Sequence, residues 1–249
     1  MTFGLRIDLE SDKGIRYGVP NLLKLLREFG FKASFYVTMG GESGIFEILK
    51  YRGPIPGAGE RKVRIFSLFE KLRIALFPKD FVTSNVGVLR QILADGHELG
   101  IHGWKHRAWT RALDKIDYKK HIGFAVRKYI RLFKKKPDTF CSPGFRTNKK
   151  VIEYLDHLDF KVISDLPEFS KIFRMANVPI TIKGKNNTPI IESGGSFEYI
   201  KDQIQKQEPA IMYIHGMYEC IRKLGMLRKI FEYLRDNKIQ VKTIREIGK

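Results

Sequence analysis

Residues 4–37 read GLRIDLESDKGIRYGVPNLLKLLREFGFKASFYV. Gly4 to Leu9 reads as a buried strand. Val19 to Phe29 reads as a helix, with Pro20 suited to its first turn and Gly30 just past its end. Ala33 to Val37 is a second short strand. Strand, helix and strand in so short a span predict a parallel βαβ unit.

The same rhythm runs outward from this opening, with one interruption. Residues 40–84 carry Gly40, Gly41 and Gly44, then a basic aromatic stretch, then the loop GPIPGAG over Gly53 to Gly59. Arg61 to Phe77 follows, with Ile65, Leu68, Phe69, Leu72 and Leu76 at helical spacing among basic residues. Beyond it the alternation resumes. Helices are expected at Asn85 to Asp95, Lys115 to Phe133, Lys149 to Leu158, Phe197 to Gln207 and Leu224 to Asn237. Strands are expected at His97 to His102, Asp138 to Cys141, Phe160 to Ser164, Ala210 to Ile214 and Ile239 to Thr243. Residues 180–191 give no clear reading. About seven parallel strands with helices between them, no linker and no repeat predict an α/β fold. The expected architecture is one distorted (β/α) barrel domain over residues 1–249, with a basic helical insert at 40–84.

Composition narrows the function classes. The chain has 249 residues, 46 Lys and Arg against 27 Asp and Glu, and a net charge of +19 at pH 7. At 43% hydrophobic it is globular, not disordered. Its two cysteines, Cys141 and Cys220, form neither a disulfide scaffold nor a zinc ribbon, and read as reduced thiols. The first residues do not read as a signal peptide, and no stretch has the length and apolarity of a spanning helix. A cytoplasmic location is expected, with room for peripheral attachment to the inner face of the membrane. The positive charge favours polyanions such as nucleic acid, anionic lipid or phosphorylated ligands.

In a parallel barrel, functional groups gather where strands end. The polar residues at those places are Asp8 and Glu10, His102 and His106, Arg146, Asp165 and His215. Asp8 and Glu10, two apart in extended chain, project on one face; they suit a split between base and metal ligand, or a plain surface strand end. His102 and His106 in HGWKH have the H-x₃-H spacing that brings two imidazoles to one divalent ion. His215 ends the strand AIMYI and is placed either for acid–base work or for a buried hydrogen bond. Arg146 and Asp165 could tune a neighbouring carboxylate and imidazole or form structural ion pairs. His97, His121 and His157 read as structural.

Taken in order, Asp8-x-Glu10, His102-x₃-His106, PGFR, Asp165 and IHG resemble the polysaccharide deacetylases of the NodB-homology superfamily. More closely, RIDLES, GHELGIHGWKHRAWT, PGFRTNKKVIEYL, ISD and YIHG are similar to its lipid-linked formamidoarabinose deformylases, over about Leu5 to Gly216. The resemblance implies a divalent metal, most often zinc, with cobalt, nickel or manganese as alternatives. It implies Asp8 as general base, Glu10, His102 and His106 as metal ligands, Arg146 as the residue orienting the base, Asp165 as the tuner of the acid, and His215 as general acid. The family has Asp where this chain has Glu10, which leaves Asp12 as an alternative third ligand.

The expected function is therefore a metal-dependent hydrolase that removes a formyl or acetyl group from an amino sugar carried on a polyprenyl phosphate. A deacetylase of soluble oligosaccharides or small amides is one alternative; a barrel that kept the fold and lost the chemistry is another. A non-enzymatic polyanion-binding protein is the third. The scattered basic residues and the lack of a nucleic-acid motif argue against nucleic acid as a partner. Segments 45–77 and 117–136 are basic, aromatic and apolar together, and are candidates for an anionic membrane surface.

Overall fold

The computed structural model describes residues 1–52 and 65–249. Its central strand is β1 (Thr2–Leu9), buried from Phe3 onward. The strands β2 (Ser34–Val37), β3 (Glu98–Ile101), β4 (Thr139–Phe140) and β5 (Val162–Ile163) follow to one side, each parallel to the last. Beyond β5 lies a hairpin of β6 (Ser170–Ile172) and β7 (Met175–Asn177), which the sequence did not signal; β7 is parallel to β5. On the other side of β1 lies β8 (Ala210–His215), in register with Phe3 to Asp8. The last strand, β9 (Gln240–Lys242), pairs with Thr2 to Gly4, while β2 pairs with Arg6 to Leu9. With β8 along one edge of β1 over Phe3 to Asp8, β2 and β9 divide the other edge between them. Among the described residues the sheet is a curled half-barrel of nine strands.

Strand alternation sorts β1 into two environments. Phe3, Leu5, Ile7 and Leu9 join the large apolar core under the helices. Arg6 and Asp8 point to the inner face, among Tyr36, Cys141 and Tyr213.

Helix boundaries follow local chemistry. The helix α1 (Val19–Phe29) has Pro20 in its first turn and ends on Gly30, whose left-handed φ of 68° supplies the stop. The insert contributes α2 (Ile45–Lys50) and α3 (Leu68–Leu76), followed by α4 (Phe81–Ser84). The expected helix over 61–77 is shorter than its periodicity implied. Residues 61–64 lie outside the described residues, and α3 starts at Leu68 because Ser67 and Glu70 form a reciprocal cap. The layer is completed by α5 (Val86–Ala94), α6 (His106–Ala112), α7 (Tyr118–Phe133), α8 (Lys149–His157), α9 (Phe197–Lys206), α10 (Tyr218–Arg222), α11 (Leu224–Asp236) and α12 (Ile244–Ile247). The start of α7 moves from Lys115 to Tyr118, because Asp117 accepts the Lys120 N–H as its cap.

The two basic segments differ in what they bury. In α7, Ile122, Ala125 and Tyr129 are buried, and Lys128 donates to the Met39 carbonyl and to Asp80. In α2 and α3 no residue is buried; Phe46 is 86% exposed and Phe69 77%. Among the described residues no helix is long and apolar enough to cross a membrane.

Candidate active site

The strand register brings the candidate residues together. Asp8 on β1 lies directly beside His215 on β8. The loop after β3 carries His102, and Gly103, at φ 67°, turns the chain so that His106 opens α6. Behind this, Gly18 packs so closely on the Gly216 carbonyl that a Cβ would stand 1.8 Å from its oxygen.

Three imidazole nitrogens surround one carboxylate oxygen. Glu10 Oε1 is 2.9 Å from His106 Nε2, 3.2 Å from His102 Nε2 and 3.8 Å from His215 Nε2. The His102 Nδ1 faces the Cys141 carbonyl at 3.0 Å, which leaves Nε2, turned to Glu10, as the nitrogen that can bind a metal. Glu10, His102 and His106 thus present one oxygen and two nitrogens at a common point. Such a mixed, borderline donor set fits a divalent ion of the zinc kind and leaves positions open. Asp12 is turned elsewhere: its Oδ1 accepts from Asn85 (2.7 Å) and its Oδ2 lies 3.9 Å from Lys79.

Asp8 is held by Arg6, and this the sequence reading missed. Arg6 is fully buried, and its Nε and Nη2 donate to the two Asp8 oxygens at 2.8 and 2.9 Å. The guanidinium also donates to the Ser164 carbonyl and sits against the rings of Phe145, Tyr36 and Tyr213. Burial pushes the Asp8 carboxyl up, but Arg6, helped by His102, outweighs this and holds it below the usual carboxylate range. The signal was present: Arg6 and Asp8 share one face of a strand in which Leu5, Ile7 and Leu9 take the other.

Arg146 does not take the place that the family resemblance gives it. It is half-exposed at the rim, where Nη1 donates to the Thr110 carbonyl (3.1 Å) and Nη2 lies 3.8 Å from Asp114. The inner position beside Asp8 is filled by Arg6, from the same strand. Asp165 is also engaged differently. Its Oδ1 accepts the Ser142 N–H at 2.6 Å, and burial raises its pKa against the pull of Arg6. The carboxylate on His215 Nδ1 is Glu192, at 3.0 Å. Glu192 lies just beyond the stretch that gave no clear sequence reading. Of the remaining histidines, His97 accepts the Ala33 N–H at the opposite end of β3, and burial lowers its pKa to about 4. Cys141 and Cys220 are both free and buried.

The arrangement has a metal-type triad, a carboxylate held ionised on one side and an imidazole on the other. A profile of the polysaccharide deacetylase family matches residues 7–163, more than half of the chain. The chain belongs to the polysaccharide deacetylase family. This deacetylase-family chain is a hydrolase of the class that cleaves amide bonds on amino sugars. It is 24% identical over 254 residues to the "Probable 4-deoxy-4-formamido-L-arabinose-phosphoundecaprenol deformylase" of Shewanella sediminis, covering 95% of this chain and 82% of the relative. A relative of the same description in Wigglesworthia glossinidia brevipalpis is 27% identical over 163 residues, 61% of this chain and 56% of that one. Among solved structures, the "putative polysaccharide deacetylase from Mycobacterium smegmatis" superposes with a TM-score of 0.69 at 13% identity, over 99% of this chain and 88% of its own. That last likeness concerns the fold.

Proposed function

We propose that this deacetylase-family chain removes an N-formyl or N-acetyl group from an amino sugar carried on a polyprenyl phosphate, with a divalent metal ion held by Glu10, His102 and His106. The observation that carries this reading is the convergence of those three side chains on one point, with Asp8 and His215 beside it. When bound, the ion would supply Lewis acidity, polarising the amide carbonyl and making water easier to deprotonate. Asp8, kept ionised by Arg6, takes the proton from the attacking water. The His215 Nε2–H gives a proton to the departing nitrogen, so the products are a free amine and a carboxylate. Arg6 moves no proton: its two hydrogen bonds fix the plane of the Asp8 carboxylate.

Lipid carriage is supported by the description of the relatives and by the exposed apolar face of α2 and α3. Phe46, Leu49, Leu68, Phe69, Leu72, Leu76 and Phe77 are all exposed in this part of the chain, close to Lys50 and Lys71. Apolar side chains with lysines at the margin suit an anionic interface, where the chain would sit peripherally. The insert is tied to the loops that bear the metal-type residues: Lys13 pairs with Glu70 at 2.9 Å, and Lys105 donates to the Glu42 carbonyl at 2.9 Å. An insert so tied would set the distance between a lipid surface and the site.

Metal content and hydrolysis, measured together, test the reading. Wild-type protein is expected to hold about one zinc, cobalt, nickel or manganese ion per chain and to release formate or acetate from N-acyl amino sugars. Glu10→Ala and His102→Ala are expected to lose both metal and activity. No metal in the wild type after reconstitution, or full activity in His102→Ala, would overturn it. Turnover of soluble oligosaccharides with no gain from a lipid carrier would favour the soluble-substrate alternative.

A further inference from the structure

The acid side of the site contains two carboxylates that the family resemblance does not place there. Glu192, on the segment ahead of α9, is fully buried, and its Oε2 lies 3.0 Å from His215 Nδ1. Glu219, on α10, is also fully buried, and its Oε2 accepts the backbone N–H of His215 at 3.0 Å. The His215 ring packs edge-on against Tyr213, at 5.8 Å between centroids. Its Nε2 then faces Glu10, 3.8 Å away. The imidazole is thus gripped at Nδ1, at its backbone and on its flank, and only Nε2 points at the metal-type triad. A carboxylate buried this deeply requires a donor or cation beside it, and the Nδ1–H supplies one.

We propose that Glu192 is the positioning residue for His215, filling the place that the resemblance assigns to Asp165. The proposal rests on the hydrolase reading above. By accepting the Nδ1–H, Glu192 fixes the ring plane and reserves Nε2 for substrate. In the step it serves, the water oxygen has already bonded to the acyl carbon, and Asp8 has taken the water proton. The C–N bond then breaks with its electron pair going to nitrogen, while the Nε2–H proton passes to that nitrogen. A free amine leaves, and the acyl group remains as the acid. The proton on Asp8 and the one lost from His215 balance when the site exchanges with solvent. Asp165, whose Oδ1 is committed to the Ser142 N–H, braces the loop that opens at Ser142.

The test compares two leaving groups in zinc-loaded protein. N-formylglucosamine and N-acetylglucosamine leave as amines and need a proton; 4-nitrophenyl acetate leaves as a phenolate and does not. With Glu192→Gln, kcat on the amides is expected to fall about 100-fold with KM within about twofold, while the ester falls less than about fivefold. Zinc content is expected to match wild type. Glu192→Asp, which keeps the charge, is expected to recover about tenfold of the amide loss. A low-field proton resonance from the His215 Nδ1–H is expected in wild type and is expected to be lost in Glu192→Gln. Equal loss on amide and ester with zinc still bound overturns the proposal, as does an amide-selective loss in Asp165→Asn in place of Glu192→Gln. Should the Gln variant fail to fold, Glu192→Asp gives the same comparison, and an equal loss on both probes again overturns it. A wild type inert on every probe sinks the hydrolase reading; an active wild type beside a fully active Glu192→Gln sinks the positioning role alone.

Discussion

At the scale of single residues, the inner face of β1 decides whether Asp8 can act as a base. Arg6 and Asp8 are a buried pair with two hydrogen bonds, so removing one partner strands the other charge. Arg6→Met is expected to cost about 3–5 kcal/mol in urea unfolding and to abolish activity in whatever fraction stays folded. Arg146→Ala, at the rim, is expected to change stability by less than about 0.5 kcal/mol. Equal stability losses in the two variants would refute this ranking. Glu219 offers a test by pH. Burial, opposed by His215 and assisted by Glu192, raises its pKa from 4.5 to about 7. The folded state therefore keeps a proton that the unfolded chain releases above about pH 4.5. The stability this gives is full below that pH and is lost as the pH rises through about 7. Glu219→Gln is expected to remove this decline, so its unfolding free energy relative to wild type should rise by a few kcal/mol between pH 4 and pH 8. Most of the candidate-site residues were legible because strand ends are visible in a βα alternation: Glu10, His102 and His215 stand at such ends, and His106 opens the helix after β3. Arg6 escaped because Asp8 was weighed with Glu10 at the strand end, and the arginine two positions before it on the same face was read only as part of a buried strand. Glu192 escaped for a different reason: it sits in a turn, and turns carry no periodicity to locate them.

At the scale of elements, sequence reading succeeded where one residue type controls a boundary, as with Pro20 and Gly30 on α1. It lengthened α3 and α7, because hydrophobic spacing does not register a cap and both helices begin where a side chain accepts from the first turn. The β6–β7 hairpin went unseen because its strands are three residues each, too short for alternation to show. Two element-level outcomes can be measured. Gly18→Ala would drive a Cβ into the Gly216 carbonyl, which is backbone and cannot rotate away. It is expected to cost about 1–3 kcal/mol and to lower kcat by shifting the end of β8. On α3, Leu68→Glu combined with Phe69→Glu touches no core residue. Stability is expected to hold within about 0.5 kcal/mol, while co-sedimentation with vesicles containing anionic lipid falls. Unchanged sedimentation would count against the membrane role of the insert.

At the scale of the whole molecule, the metal-type triad links the end of β1 to the loop after β3 and the first turn of α6. A bound ion would cross-link elements that are otherwise joined through the sheet. Added zinc is expected to raise the unfolding free energy by about 2.7 kcal/mol at a hundredfold excess over Kd, and a chelator to reverse it. No shift with zinc would refute a site assembled only in the folded state. The half-barrel and its parallel order were legible from the alternation of strand and helix. The division of one edge of β1 between β2 and β9 was not, because pairing between distant segments leaves no mark on either segment alone. That pairing also bears on biosynthesis. Asp8 leaves a ribosome about two hundred residues ahead of its neighbour His215, and β9, which closes the other edge of β1, follows later still. Asp8 waits for His215 while the whole span between them is made, and a nascent chain released before β8 carries a charged strand with neither edge complete. Slow, late closure is the expected order of assembly, with the candidate site completed only after the whole span from β1 to β9 has been made.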